Sequence, residues 1–361
     1  MAEHTKVLMK GNEAMGAAAL AAGCRFFFGY PITPQTELAA YMSKMMPKIN
    51  GTYLQAESEI AAINMVYGAS AAGARVMTSS SSPGISLKSE GISYLAGADL
   101  PAVIINVQRG GPGLGGIQPS QSDYFQATRG LGHGDFHCVV YAPNSVQEMA
   151  DLVYKAFDTA DAYRTPVVVL ADGLLGQMME PVVLPDEKAE LPEKPWATCG
   201  HHNKRAHNVA NSLYLTADSL ERLNIERFAR YKEIEKTEQM AECLYTDDAE
   251  IILVSFGAAA RVSQSAVVAA REKGIKVGMV RPVTLWPFPT KAIQETLDTA
   301  KVYLSVEMNM GQMVDDVRLA VNGAAPVEFF GRTGGIIPST AEVLTQIERL
   351  AEQITTTQGG E

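Results

Sequence analysis

Two observations predict an α/β fold, with a doubly wound parallel sheet in the first half of the chain and a smaller α/β unit in the last third. Apolar strand-like runs alternate with stretches of helical period from Cys24 to Leu170 and again from about Glu250. Between these regions a stretch rich in proline and charge breaks the pattern. Alternation of this kind covers both faces of a parallel sheet, because each crossover to the next parallel strand needs a helix-length connection.

In chain order the first sheet is predicted from "CRFFFG", "GTYLQA", "ARVMTS", "PAVIINVQ", "HCVVYA" and "TPVVVLAD", each followed by a segment able to hold a helix. One helix start has a clear mechanism: Ser145 and Glu148 in "NSVQE" form a capping-box pattern ahead of "MADLVYKAFDTA". From Pro181 to Asp248 the texture turns to proline, charge and amide, followed by "SLERLNIERFARYKEIEKTEQMAE", read as a surface helix. The second pattern begins at "EIILVSFGAAA", passes through "IKVGMVRPVTLWPFP" and "KVYLSVEMN", and finishes at "VEFFGRTGGIIPS". The predicted organisation is a domain over 1–180, a connector over 181–248 and a second domain over 249–361, with the tail "TTTQGGE" frayed.

Composition excludes several classes. The 361 residues are 47% apolar and 19% charged, and no apolar run approaches the roughly 18 residues needed to cross a bilayer. A net charge of -10 argues against a general nucleic-acid binder, since phosphate neutralisation needs clustered Lys and Arg. The opening "MAEHTKVLMKGNEA" lacks the apolar core of a signal peptide, so the expected location is the cytoplasm. Cys24, Cys138, Cys199 and Cys243 contain no C-x-x-C pair, so neither an iron–sulfur cluster nor a structural zinc is read from them. The histidines of "CGHHNKRAHN" read as a solvated loop rather than a metal site.

In doubly wound sheets ligands sit beyond the carboxyl ends of the strands, and four such segments stand out. In "GYPITPQTE", Pro31 and Pro34 restrict the residues before them and so place the Thr33 hydroxyl; alternatively Thr33 caps a helix that Pro34 starts. In "QAESEIAAINMVYGASAAGA", Glu57 and Glu59 are two apart and cannot share a helix face, so one at most turns inward. A helix this apolar is expected to be buried on nearly all sides, which would desolvate a glutamate in its first turn and raise its pKa; otherwise both simply complement the helix N-terminus. "TSSSSPGISL" offers hydroxyls and N–H groups to an anion, or forms an ordinary turn. "VQRGGPGLGG" places Arg109 ahead of five glycines, as a carboxylate grip or as a surface ion pair. It matches neither a P-loop nor a dinucleotide fingerprint. The following "GIQPSQSDYFQATRG" reads as an amphipathic helix or as a contributor to a pocket.

In order and spacing, "GYPITPQTE", "QAESEIAA", "TSSSSPG" and "NVQRGGPG" resemble the α-type subunit of the 2-oxoacid:ferredoxin oxidoreductases, and the resemblance covers nearly all of the chain. It implies a thiamine pyrimidine-binding domain followed by a transketolase C-terminal-like domain. It also implies oxidative decarboxylation of a 2-oxoacid to its acyl-CoA, using thiamine diphosphate and coenzyme A, with electrons passed through iron–sulfur clusters to ferredoxin. Glu59 falls on the family's glutamate that bonds the aminopyrimidine, a catalytic and cofactor-binding role. Thr33 and Arg109 fall on its substrate-binding threonine and arginine. Within the family the sequence is most similar to the branched-chain type acting on 3-methyl-2-oxobutanoate (2-ketoisovalerate), with the 2-oxoglutarate, pyruvate and indolepyruvate types as alternatives.

No Gly-Asp-Gly stretch with a following asparagine is present to hold magnesium and the diphosphate. The resemblance therefore implies a hetero-oligomer. A β-type subunit would share the thiamine diphosphate and hold the magnesium, and a small ferredoxin-like subunit would carry clusters. A non-catalytic scaffold subunit and a self-contained thiamine enzyme are the competing readings.

Overall fold

The computed structural model describes residues 6–188 and 190–358. Met1–Thr5, and so the opening of the segment read for a signal peptide, lie outside them. The first half runs β1 (Val7–Lys10), α1 (Gly11–Ala21), β2 (Phe26–Gly29), α2 (Thr36–Met45), β3 (Thr52–Gln55), α3 (Glu59–Ala71), β4 (Val76–Ser80), α4 (Ser82–Gly97) and β5 (Ala102–Gln108). It continues with α5 (Tyr124–Thr128), β6 (Val139–Tyr141), α6 (Val146–Tyr163), β7 (Pro166–Asp172), α7 (Gly173–Gln177) and β8 (Met179–Val182). After the connector come α8 (Ala217–Thr237), β9 (Ala241–Leu244), β10 (Ile251–Val254), α9 (Gly257–Glu272), β11 (Val277–Pro282), β12 (Thr284–Trp286), α10 (Thr290–Gln294), β13 (Val302–Glu307), α11 (Met313–Val321), β14 (Val327–Gly331) and α12 (Thr340–Gln358). Helix α12 takes in the threonines expected to fray, and Gly359–Glu361 lie outside the described residues.

The six strand runs read from the sequence form the parallel part of a seven-stranded sheet ordered β12-β6-β7-β5-β4-β2-β3. Strands β4, β5 and β7 are buried throughout, which is why they read as unbroken apolar or hydroxyl runs rather than alternating ones. A second sheet, β14-β13-β10-β11-β9, is parallel except for β9. The winding reverses between the neighbours β2 and β4, the chain passing from β2 to β3 on one side and from β4 to β5 on the other, the place where a doubly wound sheet opens a crevice at its carboxyl edge.

Two strands depart from the sequence pattern. "VTLWP" does not continue the second sheet: β12 crosses to pair antiparallel with β6 in the first. Conversely β9, at the end of the connector, joins the second sheet beside β11. Helix α8 is anchored rather than free, with Arg227, Tyr231 and Ile234 buried. The capping box at α6 is also modified. The Ser145 hydroxyl accepts from Glu148 N at 3.1 Å, but Glu148 reaches Asn144 N at 2.8 Å, because its carboxylate is shared with Arg281 of the second domain.

Candidate active site at the carboxyl ends of the first sheet

The loop after β2 is fixed by hydrogen bonds from three directions. Gln35 Nε2 donates to Tyr30 O at 3.3 Å, its Oε1 accepts from Ser79 Oγ at 2.6 Å, and Asn12 Nδ2 donates to Pro34 O at 2.8 Å. Helix α2 starts only at Thr36, with Gln35 before it, so Thr33 is not its cap. Thr33 is exposed, and its carbonyl accepts from Arg109 Nη1 at 3.0 Å.

The glutamate pair is resolved by α3. Ser58 caps the helix, its hydroxyl accepting from Ala61 N at 3.2 Å, and this sets Glu57 outside and Glu59 inside, 6% exposed. The expected all-round burial of α3 is not found. Ile60, Asn64 and Gly68 form an exposed stripe, while its other sides pack mainly against α4, β2 and β4. Opposite Glu59 lies Gly84, where a Cβ would come within 2.6 Å of Glu59 Oε1 and 2.1 Å of Ser80 Oγ. The Ser80 and Ser81 hydroxyls are buried with no hydrogen-bond partner among the described residues. Buried hydroxyls are seldom left unpaired, so a carboxyl, two orphaned hydroxyls and the room left by a missing Cβ together form a place suited to a polar, planar ligand.

Arg109 leaves β5 only 7% exposed and, among the described residues, with no carboxylate partner, so it is not a surface ion pair. Its terminal nitrogens donate to the carbonyls of Thr33 and of Leu114 (3.2 Å), while its buried Nε has no partner. With five N–H donors and two used, the guanidinium keeps three for an anion while its plane is already held. The glycine loop that follows turns on Gly115, whose φ of +57° and close approach to Gly110 O would put a Cβ 1.8 Å from that oxygen. Leu114 and Ile117 stand exposed on this loop.

The second domain holds the far wall. Gln121 donates from N to Met308 O (3.0 Å) and from Nε2 to Phe256 O (2.7 Å), and accepts from Met308 N (3.0 Å) and Asn309 Nδ2 (2.8 Å). This clamp holds the segment before α5 in bends and turns, so "GIQPSQSDYFQATRG" is helical only over Tyr124–Thr128. Asp123 is thereby buried beside Ser82 Oγ (2.6 Å) and Asn106 Nδ2 (2.9 Å), and burial raises its pKa against those two hydrogen bonds.

Sequence reasoning missed Asn106, Asp123 and above all Lys88. Lys88 is fully buried on α4, its Nζ donating to Thr78 Oγ1 (2.8 Å) and Ser79 O (2.9 Å). Desolvation lowers its pKa to about 7, opposed by the charge of Glu59. The signal was legible: Ile85, Lys88, Ile92 and Leu95 lie on one helical face that is otherwise apolar. Among the described residues no group of three or more His, Cys, Asp or Glu is placed to hold a metal ion, and no helix is long and apolar enough to cross a membrane.

The family model for the thiamine-diphosphate-binding domain of pyruvate flavodoxin/ferredoxin oxidoreductases matches residues 17–242, and that for core domain II of pyruvate:ferredoxin oxidoreductase matches residues 249–343. The chain is 50% identical over 345 residues to the ketoisovalerate oxidoreductase subunit VorB of Methanothermobacter thermautotrophicus, covering 95% of this chain and 97% of that protein. It is 38% identical over 359 residues to the 2-oxoglutarate synthase subunit KorA of Methanocaldococcus jannaschii, covering 91% and 95%. Among solved structures, the 2-oxoglutarate:ferredoxin oxidoreductase from Magnetococcus marinus, with 2-oxoglutarate, coenzyme A and succinyl-CoA bound, superposes with a TM-score of 0.85 at 25% identity, over 97% of this chain and 66% of that one. A split-gene transketolase (TM-score 0.59, 12% identity, 94% and 97% coverage) shares the fold.

Proposed function

The chain belongs to the 2-oxoacid:ferredoxin oxidoreductases, and from that premise we propose that it is the α-type subunit of the enzyme that oxidatively decarboxylates 3-methyl-2-oxobutanoate to its acyl-CoA and carbon dioxide, with electrons passing to ferredoxin. The substrate choice is supported by the identity to a ketoisovalerate oxidoreductase subunit, 50% against 38% for a 2-oxoglutarate synthase subunit. The observation that carries the proposal is Glu59, buried next to the orphaned Ser80 hydroxyl and facing the gap at Gly84.

These residues fit the aminopyrimidine half of thiamine diphosphate, the cofactor of the matched domain. When bound, the cofactor supplies a nucleophilic carbon for the 2-oxo group and an electron sink for the charge left as carbon dioxide departs. Glu59 would share a proton with the ring nitrogen and Ser80 or Ser81 would donate to ring polar atoms, while Gly84 leaves the ring its space. Arg109, held by two carbonyls, would meet the oxoacid carboxylate with its remaining N–H groups, and the Thr33 hydroxyl would lie at the same carboxylate or oxo oxygen. The magnesium, the diphosphate grip and the iron–sulfur clusters would be supplied by a β-type subunit and a small ferredoxin-like subunit in a cytoplasmic hetero-oligomer.

The test is anaerobic, CoA-dependent viologen reduction by the co-expressed complex with 2-ketoisovalerate, 2-oxoglutarate, pyruvate and indolepyruvate. The expected result is the highest kcat/KM for 2-ketoisovalerate. A higher value for another oxoacid would overturn the substrate and leave the reaction class standing.

A further inference from the structure

Six of the large apolar side chains left exposed fall close together in the chain: Val209, Leu213, Leu215, Leu220, Ile225 and Phe228, over the end of the connector and the first half of α8. Single exposed apolar residues need no explanation, but a run of them marks a surface of interaction. The last three line a groove of about 630 Å³ along α8 that also borders Asp135. The inner side of α8 is already engaged. Arg227 reaches Gly97 O at 3.1 Å and, with Arg230, pairs with Asp99, while Phe228 and Tyr231 pack edge-on against His137. Gly97 and Asp99 precede β5 and His137 precedes β6, so this part of α8 lies along the amino edge of the first sheet. A subunit sharing the cofactor would cover the opposite, carboxyl edge, so this face needs another occupant.

The outer face of α8 indicates which. Glu221, Ile225, Phe228 and Lys232 recur at i, i+4, i+7 and i+11, one exposed stripe that is acidic at its start, apolar at its centre and basic at its end. The ion pairs within α8 join Arg222 to Glu226 and Lys236 to Glu233, and among the described residues Glu221 and Lys232 have none. Laid antiparallel on a copy of itself across a two-fold axis, the stripe sets Ile225 on Phe228, Glu221 on Lys232 and Asp218 on Lys236 in both directions, while Glu235 falls opposite Ala217. A parallel pairing would set like charges on like. We propose that this face of α8 joins two copies of the chain about a two-fold axis, so that the assembly contains the α-type chain twice.

The test is sedimentation velocity of the co-expressed complex over a range of concentrations, with the copy number of this chain read from the mass and subunit ratio. The wild type is compared with Ile225→Asp, Glu221→Lys, Lys232→Glu and the double reversal Glu221→Lys with Lys232→Glu, all at exposed positions. The wild type should hold two copies. Ile225→Asp, which sets a carboxylate in the apolar centre, should raise the dissociation constant between copies about a hundredfold, and each single reversal about tenfold. The double reversal restores opposite charges across the axis and should return the constant to within about threefold of wild type. One copy per wild-type assembly, or two copies that persist in Ile225→Asp, would overturn the proposal. So would a double reversal no tighter than the single ones, or loss of a different subunit in place of the second copy.

Discussion

Substitution of Gly84 by alanine separates stability from activity and tests the cradle directly. The new Cβ would stand 2.6 Å from Glu59 Oε1, against about 3.4 Å for ordinary contact, so the carboxyl must retreat by 0.8 Å; the shortfall at Ser80 Oγ is 1.3 Å. Ser80 has no hydrogen bond to lose and can rotate away cheaply. Overpacking costs about 1–3 kcal/mol, but Gly84 lies inside helix α4, where alanine is favoured by about 1 kcal/mol. The net loss of stability is therefore about 0–2 kcal/mol. Activity should suffer far more, because displacing a reacting group by about 1 Å can cost about 10²-fold. The assays are a thermal melt of the complex alongside steady-state kcat and cofactor affinity. Wild-type turnover in a Gly84→Ala complex would refute the reasoning, since the ring could not then occupy the space that this alanine fills.

Glu59→Gln should leave assembly intact and lower kcat by about 10²–10⁴-fold, the usual worth of a general acid–base group; undiminished viologen reduction would remove it from the chemistry. Arg109→Lys should chiefly raise KM for the oxoacid, because a lysine cannot keep both carbonyl contacts and offer a planar fork; an unchanged KM speaks against the grip. Arg75 is buried among Asp161, Asp158 and the carbonyl of Ala22, and Lys194 of the connector shares Asp161. Arg75→Met should cost about 3 kcal/mol, read as a lowered denaturation midpoint, with kcat little changed. Because the Lys88 pKa is depressed to about 7, the unfolded chain binds more protons between that value and 10.5. Lys88 therefore destabilises fully below about pH 7, and its cost fades as pH rises to 10.5. The stability difference between Lys88→Gln and wild type should shrink across that window, and a flat difference would show that the lysine is not buried as a cation.

Most of the fold was legible because buried parallel strands and their covering helices write long, unambiguous runs, as in "PAVIINVQ" and "TPVVVLAD". What could not be read was pairing over distance. Nothing in "VTLWP" distinguishes a strand that continues one sheet from one that crosses to another, and β9 is too short and too exposed to carry a pattern. In the site, the choice between Glu57 and Glu59 depended on where the helix cap fell, and Ser58 supplied it. Asp123 was hidden because its burial comes from the clamp on Gln121, a tertiary contact made by residues almost 190 positions away. Lys88 was hidden only by habit, since a lysine within an apolar helical face is itself a signal.

The first sheet takes its edge strand β12 from between β11 and β13 of the second, and the second begins with β9 at the end of the connector. No single cut in the chain therefore yields two intact domains. A break before Ala241 strips β12 from the first sheet and opens β6 as a bare edge ready to pair with another molecule, whereas a break after Trp286 carries β10 and β11 away from the second. The two sheets are thus completed only in one continuous chain, β12 closing the first from within the second.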